Sequence, residues 1–108
     1  MQRLELTVMK RAEVIERITH SDIKWAIGQI NAQNWVPKRR NSTKYSFRYK
    51  GRHYPPKYLI MLAGKRATGE VLTPDDHGGG EHDSNRVLRQ LEIKGGRIVE
   101  SPSRWPER

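Results

Sequence analysis

Six side chains able to hold a metal ion or move a proton fall between positions 75 and 83: Asp75, Asp76, His77, Glu81, His82 and Asp83. His53 is an imidazole that could join them from elsewhere in the chain. A metal-dependent nuclease needs such carboxylates and imidazoles to converge at about 2 Å from the ion on a rigid frame. Here they straddle Gly78, Gly79 and Gly80, and the gap between His77 and His82 matches no familiar ligand spacing. The set reads more simply as polar loop residues that cap helices and solvate a turn. The chain also lacks the nucleophile-elbow pattern of serine hydrolases and any phosphate-cradling loop of the Walker type. It contains no cysteine, which excludes disulfides and thiolate metal sites. We therefore expect no catalytic residue, no metal and no cofactor, with a nuclease using loop 75–83 kept as the alternative.

The other chemistry written into the chain is neutralisation of phosphate. The formal charge is +9 over 108 residues, yet residues 23–69 contain no Asp or Glu at all. That stretch carries Lys24, Lys38, Arg39, Arg40, Lys44, Arg48, Lys50, Arg52, Lys57, Lys65 and Arg66, while the acids gather towards the two ends. Segregation of this kind suits a polyanion, because binding phosphates requires many cations with no carboxylate competing for them. A solvated basic face that aids solubility is the bland alternative. The aromatic residues interleaved with these cations favour the nucleic-acid reading.

The element that must position the cations is a basic β-hairpin running into a helix, over residues 44–69. Tyr45, Phe47 and Tyr49 alternate with Ser46 and Arg48, Lys50-Gly51 makes a turn, and Arg52-His53-Tyr54 returns until Pro55 and Pro56 stop the strand. A two-residue turn pairs Tyr49 with Arg52, Arg48 with His53 and Phe47 with Tyr54. One face is then aromatic and expected to be core; the other carries Ser46, Arg48 and His53. The prolines suit a helix start, and a helix over 57–68 should bury Leu59, Leu62 and Ala63 and stop at Gly69.

Before the hairpin, a strand or extended arm carrying Leu4, Leu6 and Val8 leads to a short helix with Val14, Ile15 and Ile18 inside. Thr19 or Ser21 caps the next helix, with Asp22 at its dipole, and Ile23, Ala26, Ile27 and Ile30 recur at helical spacing to Gln33. Trp25 lies off that stripe, so it is either an edge of the core or an exposed ring, and core packing is the commoner fate of a helical Trp. Residues 34–43 form a loop with Pro37 and the cations Lys38, Arg39 and Arg40. Beyond Gly69, Thr73-Pro74-Asp75-Asp76 reads as one helical turn. Asp83 or Ser84 should cap a helix over 85–92 that faces Val87, Leu88 and Leu91 inward and ends at Gly95-Gly96. Residues 97–100 form a closing strand. No apolar run approaches the roughly 20 residues that span a bilayer, and the N-terminus lacks a signal-peptide core.

Taken together, these parts resemble a known module. The capped helix ending near Gln33, the basic loop, the Lys50-Gly51 turn, Tyr54-Pro55-Pro56-Lys57 opening an Ala63-containing helix, and the glycine element followed by Asn85, Leu88 and Leu91 are similar to the N-terminal head domain of McrA-like type IV HNH restriction endonucleases, which attack modified DNA. The resemblance covers roughly residues 18–99. It implies a small α+β module of restriction-modification systems that accompanies modification readers and nucleases and contacts DNA. Two departures stand out: an acidic, histidine-rich context before the glycines in place of an aromatic residue, and Glu92-Ile93 in place of Gly-Phe. No HNH segment follows, as expected of a stand-alone version or a portion of a longer protein.

The reading is an α+β fold with a small antiparallel sheet and a basic hairpin packed against two to four helices. Residues 1–18 form an extension, 19–100 a nucleic-acid-binding domain and 101–108 a mobile tail with a lone Trp105. The expected DNA contacts are Lys38, Arg39, Arg40, Lys44, Arg48, Lys50, Arg52, His53, Lys57, Lys65 and Arg66. Duplex DNA is the favoured partner, with RNA or a single strand as alternatives and no membrane. The expected location is cytoplasmic, at the nucleoid. A module that docks a nuclease partner is the remaining alternative from another class.

Overall fold

The Lys50-Gly51 turn sets the geometry of the sheet. In the computed structural model, which describes residues 11–70 and 80–108, both turn residues have positive φ, 51° and 81°. Two consecutive left-handed residues give the turn whose twist matches that of the strands on either side. It joins β1 (Ser46–Tyr49) to β2 (Arg52–Tyr54). The register is the expected one, with Tyr49 opposite Arg52, Arg48 opposite His53 and Phe47 opposite Tyr54. β3 (Gly96–Val99) pairs antiparallel with the other edge of β1, so the strand order is β2-β1-β3. Two rows of side chains therefore cross all three strands: Tyr54, Phe47 and Ile98 in one, His53, Arg48 and Arg97 in the next. Because strand neighbours alternate in direction, the two rows lie on opposite faces. Phe47 and Tyr54 are fully buried, whereas Arg48 and Arg97 are exposed.

Among the described residues four helices accompany the sheet: α1 (Arg11–Glu16), α2 (His20–Gln33), α3 (Pro56–Thr68) and α4 (Gly80–Leu91). The fold is thus α+β, as the sequence implies. α3 touches each of the other three helices and buries Tyr58, Leu59, Ile60, Ala63 and Gly64. Leu62, expected inside, is half-buried, and Ile60 takes the inward place. Pro55 stands at the N-cap and Pro56 in the first turn; Gly69, at φ 83°, ends the helix in the left-handed conformation. α2 begins with a complete capping box. The Thr19 hydroxyl accepts from the Asp22 amide, and the Asp22 carboxylate accepts from the Thr19 amide at 2.9 Å. Its buried stripe is Ile23, Ala26, Ile27 and Ile30, as read from the spacing.

Three expectations need correction. Trp25 is not core: it is 37% exposed, and the Arg66 guanidinium lies over its ring, 5.7 Å from the centroid. α4 starts at Gly80, so Asp83 and Ser84 fall within the helix and do not cap it. The helix also ends at Leu91, where Glu92 turns left-handed at φ 49°, before Gly95-Gly96 is reached. Val87 and Leu88 are buried and Leu91 half-buried. The arm at Leu4, Leu6 and Val8 and the turn at 73–76 lie outside the described residues.

Residues 101–108, expected to be a mobile tail, are held by side-chain and backbone hydrogen bonds. Val36 and Glu107 form a parallel bridge in which Val36 donates to the Pro106 carbonyl at 2.8 Å and Arg108 donates to the Val36 carbonyl at 3.0 Å. Asn41 mimics a strand partner for Trp105: its side chain donates to the Trp105 carbonyl and accepts from the Trp105 amide, at 2.7 and 2.9 Å. The buried Ser42 and Ser103 bond each other through backbone and hydroxyl groups. The Trp105 indole N–H donates to the carbonyl of His53 at 2.7 Å, and its ring packs 5.6 Å from that of Tyr54. That indole covers a carbonyl of β2, an edge strand of the sheet.

Candidate nucleic-acid interface

The hairpin is a ridge between neighbouring concavities, and its cations line them. On one side Arg48, Lys50 and Arg97 surround a concavity of about 470 Å³ whose floor is Gly51, Gly95 and Gly96. On the other, Lys50 and Arg52 face Lys24 across a cleft of about 560 Å³ between α2 and the hairpin. Arg52 also lines a third, of about 500 Å³, together with Arg104 and Trp105. Lys50 and Arg52 each belong to two of these spaces, so the basic residues form a connected band.

Arg48 and Arg97 are the sharpest feature of this band. They stand directly opposite each other on β1 and β3, both exposed, and neither has a hydrogen-bond or ion-pair partner among the described residues. Like charges in that position repel and destabilise a sheet unless an anion lies between them. Glycine at position 96 lets β3 approach closely: a Cβ there would overlap the ring of Phe47, with Cε2 and Cε1 only 2.8 and 2.9 Å away. Arg97 was not among the sequence candidates. The signal that could have found it is the closing strand itself, once paired with β1.

Other candidates have partners that define their roles. Arg52 donates to the Asn31 side-chain oxygen at 3.3 Å and stacks 5.7 Å from the Trp105 ring, yet stays exposed. His53 is half-buried and shares a 2.8 Å hydrogen bond with the buried Ser46 hydroxyl. Arg66 forms an ion pair with Asp22 at 2.8 Å, bonds Ser21 and covers Trp25. Its neighbourhood is that of a clamp between α3 and α2. Tyr54 donates its hydroxyl to Asn31, and burial pushes its phenol above the ordinary tyrosine value against the smaller opposing effect of that bond and of Arg52.

The loop cations are positioned by the C-terminal segment. Lys38 donates its amide to the Arg108 carbonyl, and the Arg39 amide donates to the Glu107 carboxylate, with Arg39 at φ 68°. Asn41 also donates to that carboxylate at 3.0 Å. These bonds hold Glu107 well ionised, below the usual glutamate value, with the Asn41 bond the largest cause. Arg39 and Arg40 meet Lys57 around a smaller cavity of about 210 Å³ beside Pro55 and Pro56. Lys44, Lys65 and Arg66 line none of the four spaces named here.

Of the metal-ligand candidates, residues 75–77 and the side chains of Glu81, His82 and Asp83 lie outside what the structure describes. Among the described residues no three His, Asp or Glu side chains converge as a metal site would require. Nor, among them, is any helix long and apolar enough to cross a membrane.

No curated protein and no solved structure matches this chain. A family does: residues 16–94 match the ScoMcrA-like, N-terminal head domain. The match spans α1's last residue through the turn after α4, and so contains the hairpin and α3 but neither β3 nor the segment that holds the basic loop. The chain therefore belongs to the family of N-terminal head domains of McrA-like restriction enzymes, which gives it a DNA-related role.

Proposed function

We propose that this domain binds duplex DNA through its phosphates and performs no chemistry on it, serving a restriction system by holding DNA for a nuclease partner. The observation that carries the reading is the Arg48–Arg97 pair, which has no partner among the described residues and stands at one end of the basic band. Lys50 extends that pair over the turn, and Lys38, Arg39, Arg40 and Lys57 offer a second group of contacts. Contacts of this kind fix position on DNA and carry little sequence information. Binding is then steep in salt and weakly dependent on sequence, since each phosphate neutralised releases counterions. Enzymatic activity does not belong to this reading.

The test is a titration of modified and unmodified duplexes at several salt concentrations, with and without magnesium or manganese. Affinity that falls steeply with salt, with no strand cleavage, supports the proposal. Affinity that is flat with salt would sink it. Metal-dependent cleavage lost in His77→Ala or His82→Ala would replace it with a nuclease centred on loop 75–83.

A further inference from the structure

We infer that the cleft between α2 and the hairpin is a pocket for a single nucleotide drawn out of the base stack. This rests on the DNA-binding reading above and adds a second mode of contact to it. At about 560 Å³ the cleft falls within the roughly 300–1,000 Å³ usual for small-ligand sites. α2 supplies one wall with Lys24, Ile27, Gly28 and Asn31; the hairpin supplies the other.

The lining matches the parts of a nucleotide. For the base there is Tyr49, half-buried and nearly parallel to Phe47, with ring centroids 6.4 Å apart and planes 11° from each other. Anchored on the core in this way, the ring offers a fixed aromatic surface, and stacking on such a surface accepts any base. Opposite lie Ile27 and Gly28. A glycine is unfavourable inside a helix, and a Cβ at Gly28 would meet nothing within 4 Å. Protein packing does not call for a glycine there; what its small size does is keep the cleft open.

For the base edge there is Asn31. Its side-chain oxygen accepts from the Tyr54 hydroxyl at 2.8 Å and from Arg52 at 3.3 Å, which orients the amide. The amide nitrogen has no partner among the described residues, so its two N–H donors are free for an acceptor on a base. For the phosphate there are Lys24, Lys50 and Arg52, and among the described residues no carboxylate lines the cleft. Lys50 lies over the Tyr49 ring, its ammonium 5.5 Å from the centroid, and an entering base would displace it from that ring towards the phosphate. A base inside a duplex has both faces stacked and its pairing edge occupied. Only an unstacked nucleotide can meet Tyr49 and Asn31 together.

The experiment is a fluorescence-anisotropy titration of the intact chain with two labelled DNAs, a fully paired duplex and the same duplex carrying one unpaired thymidine. The wild type should bind the bulged duplex roughly tenfold more tightly, as stacking of one base provides. Gly28→Leu and Gly28→Gln, which place a side chain in the cleft and are better helix formers than glycine, should lose that preference. They should bind the paired duplex as before and melt no lower than the wild type. Equal binding of both DNAs by the wild type overturns the pocket and leaves the DNA-binding reading standing. A preference that survives in both variants also overturns it. Failure to bind either DNA defeats the reading on which the inference rests.

Discussion

Arg48 and Arg97 face each other across two antiparallel strands, and no carboxylate among the described residues pairs with either. Replacing one with a neutral polar residue, as in Arg97→Gln, should raise stability by about 0.2–1 kcal/mol at low salt, because directly opposed like charges destabilise a sheet by that order. DNA affinity should fall at the same time, with the salt slope reduced by about one. Chemical denaturation paired with binding titrations reads both. A variant that is less stable yet binds normally would show that the two guanidiniums stabilise the sheet by other means.

The ring of Phe47 lies under Gly96 and is 1% exposed. Phe47→Ala should cost about 3–5 kcal/mol, a large fraction of the roughly 5–15 kcal/mol that holds a domain together. Gly96→Ala should cost about 1–3 kcal/mol by overpacking. That cost should shrink in a Phe47→Leu background, where the planar ring is gone. Urea midpoints of the single and double variants test the coupling, and additive losses would show that the strain lies elsewhere.

Arg66 and Arg48 separate structure from binding. Arg66→Ala removes the partner of Asp22, whose side chain is 8% exposed while that of Arg66 is 38% exposed. Allowing for screening by solvent at the exposed end, the loss of stability should be about 1 kcal/mol. DNA affinity should change little. Arg48→Ala should do the opposite, weakening binding with little change in the unfolding midpoint. An Arg66→Ala variant of unchanged stability but poor binding would move Arg66 into the interface.

Glu107 provides a pH test. Its carboxyl is held below the ordinary glutamate value by Asn41, by the Arg39 amide and by Lys38. A group whose value is depressed on folding contributes stability above its unfolded pKa and loses it as pH falls through the folded one. Docking of the segment should therefore be complete at neutral pH and weaken in acid, through and below the ordinary glutamate range. Trp105 emission should shift as its indole leaves the His53 carbonyl, and Glu107→Gln should flatten that transition. An acid transition unchanged in Glu107→Gln would assign it to another group.

Local signals made much of this fold legible. The hairpin register follows from alternation plus a Lys-Gly turn, because a two-residue turn leaves one pairing that keeps Phe47 and Tyr54 together. The start of α2 follows from Thr19 and Asp22, whose spacing is that of reciprocal caps. What the sequence hides is long-range pairing. Nothing local to Arg97 says that it will face Arg48, and nothing near Asn41 says that it will accept the backbone of Trp105. Trp25 was misplaced for a related reason: a tryptophan off the apolar stripe looks incomplete until Arg66 arrives from another helix to cover it. The site was readable as a set of cations, but their grouping around the hairpin depends on β3 and on residues 101–108.

The parallel bridge between Val36 and Glu107 also dictates an order of events. Joining segments roughly 70 residues apart in an unfolded chain carries a closure entropy of about 4 kcal/mol or more, offset only by the bridge and by a few hydrogen bonds of Asn41, Ser42 and Trp105. Once β3 has paired with β1, only the short stretches 37–45 and 100–106 have to close. The bridge must therefore form late in folding and open early in unfolding, so the amides of Val36, Lys38 and Arg108 should exchange hydrogen sooner than those of β1. Since Lys38 and Arg39 take their positions from that bridge, a newly made chain acquires the loop geometry proposed to meet DNA only after its sheet is complete.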